Sequence, residues 1–234
     1  MSLYLLINIS SFIVPFVYSF EKKMYFIKYW KSVFISIFIV GLFFIIWDII
    51  FTHFGIWGFN PAYHLGIKIW GLPIEEILFF ICIPYASIFT HYAFIYFFDK
   101  IKLSNKFTKL IIIGLTIIAI IVLIYAFPKK YTTFNLIIFI LLMIYTILTN
   151  VKVLARFFIT FIIILIPFFI VNGILTGSFI ENEIVWYNNQ ENLNIRLFTI
   201  PIDDVIYAFN MLYPTILLIE FFKKKFNKLE SNLI

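Results

Sequence analysis

Two copies of one motif stand far apart in the chain, Pro73-Ile74-Glu75-Glu76 and Pro201-Ile202-Asp203-Asp204, each opening a long apolar run. An isolated ionised acid near a bilayer centre costs roughly 3 kcal/mol on insertion scales, so acids inside apolar spans usually mark function. Two adjacent carboxyls in an apolar pocket cannot both be charged cheaply, and such a pair divides into one acid and one base. Proton delivery and proton removal on a hydrocarbon need that division. Proline followed by acids also opens ordinary helices, because the first turn has no use for the missing N–H and the acids meet the positive end of the dipole. Depth in the apolar run, repetition and spacing argue for more than a helix start. Asp203, Tyr207 and Asn210 fall at i, i+4 and i+7, a polar stripe that should face other helices and not lipid.

The elements that must position these groups are membrane helices. The chain of 234 residues is 63% hydrophobic and 13% charged, with a mean hydropathy of +1.04, which excludes an ordinary soluble domain. Runs of about 20 apolar residues exclude a spanning barrel, whose segments are shorter and alternate. The expected class is an all-α integral membrane protein with seven transmembrane helices, near 3–20, 32–54, 73–98, 107–127, 131–150, 155–176 and 201–222. Of the 18 basic residues, 14 fall in the odd-numbered connections and the C-terminal tail, which predicts the N-terminus outside and the C-terminus inside. That asymmetry and contact with anionic lipid account for the net charge of +6 without a nucleic-acid partner. The N-terminal stretch 1–20 has neither a basic leader nor a small-residue cleavage site, and reads as a retained first span.

The repeat extends beyond the motifs. Phe43-Phe44-Ile45-Ile46 is echoed by Phe168-Phe169-Ile170-Val171, and Trp57 and Asn60 by Trp186 and Asn188. Spans 1–3 and 5–7 are then two copies running the same way through the membrane, a parallel arrangement. The implied organisation is a first repeat at 1–100, a linking span at 101–130 and a second repeat at 131–234.

This topology brings both motifs to the outer end. There they meet Trp47 and Asp48 on span 2 and Asn172 at the equivalent place on span 6. Asp48 is either a further acid or a buried partner of Asn60 or of the Trp47 N–H. His53, His64 and His91 show no metal-ligand spacing, and the single cysteine, Cys82, excludes an internal disulfide and a multi-cysteine metal site, so no metal is expected. Glu220 should pair with Lys223 or Lys224, and Glu181, Glu183 and Glu191 should form a solvated face of the outer loop. A flavin or nicotinamide fingerprint, a P-loop and an Asp-rich diphosphate motif are all absent. A small seven-helix transporter with intramembrane carboxylates is the rival reading, although the spans carry few of the polar residues an aqueous pathway needs. A retinal photoreceptor would need a lysine within span 7, which has none before Lys223.

Trp47-Asp48, Trp57-Gly58-Phe59-Asn60-Pro61, the run Gly71 to Phe80 and Pro84-Tyr85 resemble the first half of the small, non-flavin carotenoid cyclases. The stretch Asn172 to Gly177 and the second motif resemble their partner repeat. These are the bacterial lycopene cyclases that occur as heterodimers or as one fused chain, and the likeness covers nearly the whole length. The resemblance implies a lycopene cyclase, an isomerase or intramolecular lyase that acts without cofactor, with catalytic Glu75, Glu76, Asp203 and Asp204. Substrate contacts would come from Trp47, Asp48, Trp57, Asn60, Phe79, Phe80, Asn172 and Tyr207, with Tyr85 a further cation-facing ring. It also implies a role in carotenoid biosynthesis as a multi-pass protein of the bacterial cytoplasmic membrane. The expected partners are lycopene drawn from the bilayer and membrane lipid, with homo-oligomers or complexes with other carotenoid enzymes left open.

Overall fold

Apolar runs of this length hide their backbone N–H and C=O groups from lipid by closing them into helices. The computed structural model describes residues 2–231. Its long helices are α1 (Leu3–Tyr18), α2 (Trp30–His53), α3 (Ile74–Phe97), α4 (Asn105–Ala126), α5 (Lys130–Leu148), α6 (Val151–Leu175) and α7 (Asp203–Ser231). Helices α2 to α7 are long and apolar enough to cross a membrane. Helix α1 stops short of its expected end, at 16 residues. Its last turn is closed where the Ser19 N–H and hydroxyl both bond the Pro15 carbonyl, after which the chain turns toward α2.

The short strands are β1 (Trp57–Phe59), β2 (Lys68–Ile69), β3 (Leu72–Pro73), β4 (Val185–Tyr187), β5 (Arg196–Leu197) and β6 (Ile200–Pro201). Two of the three sheets are hairpins, β2–β3 and β5–β6, each set just ahead of the helix that carries an acid pair. At the first tip Trp70 and Gly71 have φ of +52° and +89°, the left-handed geometry that a two-residue hairpin needs at both positions. The third sheet joins the two halves, because β1 pairs antiparallel with β4 and sets Gly58 opposite Trp186.

The two halves are related by a pseudo-two-fold axis through that strand pair. Asn60 N–H bonds the Ile184 carbonyl and Asn188 N–H bonds the Ile56 carbonyl, both at 2.9 Å. These two bonds exchange under the same sequence offset that relates the two acid motifs. Helix α1 packs on α3 as α5 packs on α7, while α2 lies against α7 and α3 against α6 across the axis. Helix α4 flanks α5 and α6 outside this symmetry. The axis corrects one detail of the repeat: the counterpart of Trp186 is Gly58, not Trp57. A side chain at 58 would fall where the indole of Trp186 lies, with a built Cβ only 2.7 Å from its Cε2. Gly58→Ala should therefore cost about 1–3 kcal/mol by overpacking. The expected result is a lower melting temperature of the purified protein that Trp186→Ala restores in the double variant.

Glu191 also departs from expectation. It is not part of a solvated face but accepts from the Lys130 N–H at 3.0 Å and pairs with the Lys130 ammonium at 3.5 Å, capping α5, while Glu181 and Glu183 are exposed. Glu220 pairs with Lys223 at 2.8 Å and accepts from the Tyr92 hydroxyl at 2.6 Å.

Candidate active site

Each hairpin delivers the chain directly into a helix whose first turn contains two acids. Consecutive residues of an α-helix point about 100° apart, so the two members of each pair meet different partners inside the bundle. Glu75 and Asp203 are buried toward the hairpins and the neighbouring α1 or α5, outside the cavity. Glu75 accepts from the Leu65 N–H at 2.7 Å and from the Ser2 hydroxyl at 2.6 Å, while its carbonyl accepts from Asn8 Nδ2 at 2.7 Å. Asp203 accepts from the Leu193 N–H at 3.2 Å and the Thr132 hydroxyl at 2.5 Å, and its carbonyl accepts from Asn135 Nδ2 at 2.7 Å. Leu65 and Leu193 stand at the same offset in the chain as Glu75 and Asp203. Both acids are clips that bind hairpin, helix start and the neighbouring α1 or α5. Asn210 extends the second clip by donating to Asn135 Oδ1 at 2.7 Å, so the stripe Asp203, Tyr207, Asn210 does face the interior.

Glu76 and Asp204 face a cavity of about 400 Å³. Glu76 accepts from the Tyr4 hydroxyl, and Asp204 accepts from that of Tyr131 at 2.6 Å. The second residue beside each acid is where the halves diverge. Asn172 donates to Asp204 at 3.3 Å, and the Tyr187 hydroxyl adds a third bond at 3.0 Å, so Asp204 is surrounded by donors. In the first half the neighbour of Glu76 is the carboxyl of Asp48. Asp48 Oδ1 accepts from the Trp57 indole N–H and, at 3.2 Å, from Thr52, while no N–H or hydroxyl reaches its buried Oδ2. Two carboxyls lining one apolar space repel each other when both are charged, whereas an amide beside a carboxyl supplies a donor. Tyr187, in the connection between α6 and α7, is held well above the ordinary phenol range by burial and by the charge of Asp204. It therefore remains a neutral donor at physiological pH.

From these acids the cavity runs along α3 from Glu76 past Phe79 and Ile83 to Thr90, a rise of about 21 Å. Its other walls are α1, α6 and α7, lined mainly by apolar side chains, and α1 and α6 barely touch one another. Trp57, Phe79, Asn172 and Tyr207 line it together with Asp48, Glu76 and Asp204. Trp47, Asn60 and Phe80 do not. Trp47 is buried between Phe134 and Tyr207, its ring centroid 4.6 Å from that of Phe134, and Phe80 is packed against Phe44 and Phe79. Asn60 instead donates to the Glu183 carbonyl at 3.2 Å. The N–H that satisfies Asp48 thus comes from Trp57, and from neither Asn60 nor Trp47. Tyr85 lies toward the opposite end, bonded to Ser19 and Trp30.

Tyr4, Tyr131 and Tyr187 line the cavity and bond its acids, and the motifs alone do not single them out. The offset from Tyr4 to Tyr131 matches that of the acid motifs to within one position, so extending the repeat back to spans 1 and 5 would have found them. Tyr187 carries no such signal. His91 bonds Thr160 at 2.7 Å, and His64 accepts from the Gly66 N–H at 2.9 Å.

A family model described as lycopene cyclase matches residues 1–95 and again residues 128–222. No curated protein and no solved structure matches the chain. The two matched segments contain the two related halves described above, each with its own hairpin, acid pair and tyrosine, and the chain belongs to the lycopene cyclase family.

Proposed function

We propose that this protein converts the linear end groups of lycopene to β-rings by acid/base catalysis without a cofactor, as an isomerase or intramolecular lyase of carotenoid biosynthesis. The observation that carries this reading is one largely apolar cavity lined by three carboxyls, Asp48, Glu76 and Asp204. Cyclisation changes neither oxidation state nor atom count. A proton adds to the terminal double bond, the resulting cation closes a six-membered ring with a neighbouring double bond, and a proton leaves from carbon beside the ring cation. Glu76, with the carboxyl of Asp48 beside it in the cavity, is the acid that delivers the proton. Asp204, supplied with three donors, is the charged group that stabilises the cation and accepts the departing proton. Tyr207 and Trp57 line the space between them, where their ring faces can meet positive charge.

The gap between α1 and α6 suits lateral entry of a polyene from lipid, with one end group at the acids and the chain along α3. The charge distribution supports N-out, C-in insertion in the bacterial cytoplasmic membrane, with the acids in the outer third. The transporter alternative draws no support from the family match. Pigments extracted from a lycopene-producing host that carries this gene should contain a product of unchanged mass with a shifted absorption spectrum. Unaltered lycopene alongside verified membrane insertion would reject the reading.

A further inference from the structure

The end of the bundle opposite the acids holds a second cavity, of about 710 Å³, that the chemistry above does not use. Lys28, Lys102, Lys152, Arg156 and Lys223 line it, against the single carboxylate of Glu220. They come from different places: the approach to α2, the α3–α4 connection, the start of α6 and the end of α7. Positive charge in membrane-flanking loops is ordinary, but loops can spread such charges outward into water, and here they converge on one concave space. Glu220 is already committed, to Lys223 at 2.8 Å and to Tyr92 at 2.6 Å. Among the described residues no carboxylate forms an ion pair with Lys28, Lys102, Lys152 or Arg156. Glu21, another acid at this end, is bonded to the N–H groups of Lys23 and Met24.

The cavity also has orienting walls. Lys223 lies 4.4 Å from the Tyr29 ring centroid and 4.8 Å from that of Tyr92, and Lys28 lies 4.9 Å from that of Tyr29, so aromatic faces hold two of the ammonium groups. Arg156, partly buried on the α6 wall, offers the planar fork that binds tetrahedral oxyanions through paired hydrogen bonds. Clustered cations without acidic partners repel one another unless an anion joins them.

We infer that this cavity binds a phosphate group, carried either by an anionic lipid headgroup or by a soluble phosphate. Such a ligand ties the connection leading to α4, which lies outside the symmetric core, to both halves of the bundle. The test uses the purified full-length protein in detergent, titrated with phosphatidylglycerol in mixed micelles, with phosphatidylcholine and with inorganic phosphate, and followed by melting temperature and native mass spectrometry. Arg156→Gln should raise the ligand concentration needed for the same stabilisation about tenfold, the loss of one charge-assisted contact. The exposed pair Lys102→Gln/Lys152→Gln should do the same without risk to folding, and Lys22→Gln/Lys23→Gln, exposed residues that do not line the cavity, should leave it intact. Stabilisation by phosphatidylglycerol alone assigns the site to a lipid headgroup, and stabilisation by inorganic phosphate assigns it to a soluble ligand. No stabilisation by either, or stabilisation that the cavity variants leave unchanged, overturns the inference.

Discussion

Glu76→Gln should abolish ring formation, with turnover falling about 10³-fold, the scale of a lost general acid. The amide keeps the size of the acid and still accepts from Tyr4, so the protein should reach the membrane and elute as the wild type does. Asp204→Asn should lose about 10²-fold or more, because an amide offers no negative charge to a nearby cation. Glu75→Gln provides the contrast. Its oxygen can still accept from Leu65 and Ser2, so turnover should stay within a few-fold while the melting temperature drops modestly. Product formation per unit of inserted protein, measured for the three variants side by side, checks this. Unimpaired Glu76→Gln enzyme, or a greater loss in Glu75→Gln, would remove the assignment of roles within the pair.

Ala86→Trp should block the reaction by a different route. Ala86 lines the cavity on α3, nearly three turns below Glu76, where a polyene bound by its end group must pass. An indole there displaces the chain, and a misplaced end group costs roughly 10²-fold even with the acids untouched. Ile81→Trp on the same helix is the control, since Ile81 is 40% exposed on the outer face and lies outside the cavity. Its activity should match the wild type. Equal activity in both variants would show that the substrate does not lie along α3.

Much of this was legible in the chain. Apolar runs bounded by lysines mark the spans because lipid tolerates neither exposed backbone nor charge, and six of the seven helices are long enough to cross. The repeat was visible because two related units keep the same residues at nearly constant spacing, and the acid motifs were visible because carboxyls are costly where they stand. The partition of roles was not. Glu75 and Glu76 are indistinguishable as neighbours in a sequence, as are Asp203 and Asp204, and only the helix phase set by each hairpin turns one toward the hairpin and the other toward the cavity. The same holds for Asp48, for which the sequence offered Asn60 or Trp47 as partner and to which the turn after α2 carries back Trp57 instead. The partners of Glu76 are likewise decided across the bundle, where α1 places Tyr4 and α2 places Asp48, both far from it along the chain. The chain alone determined which groups were too expensive to bury without purpose. Tertiary structure decided which of them meet, because hydrogen bonds depend on contacts between helices that sequence spacing does not encode.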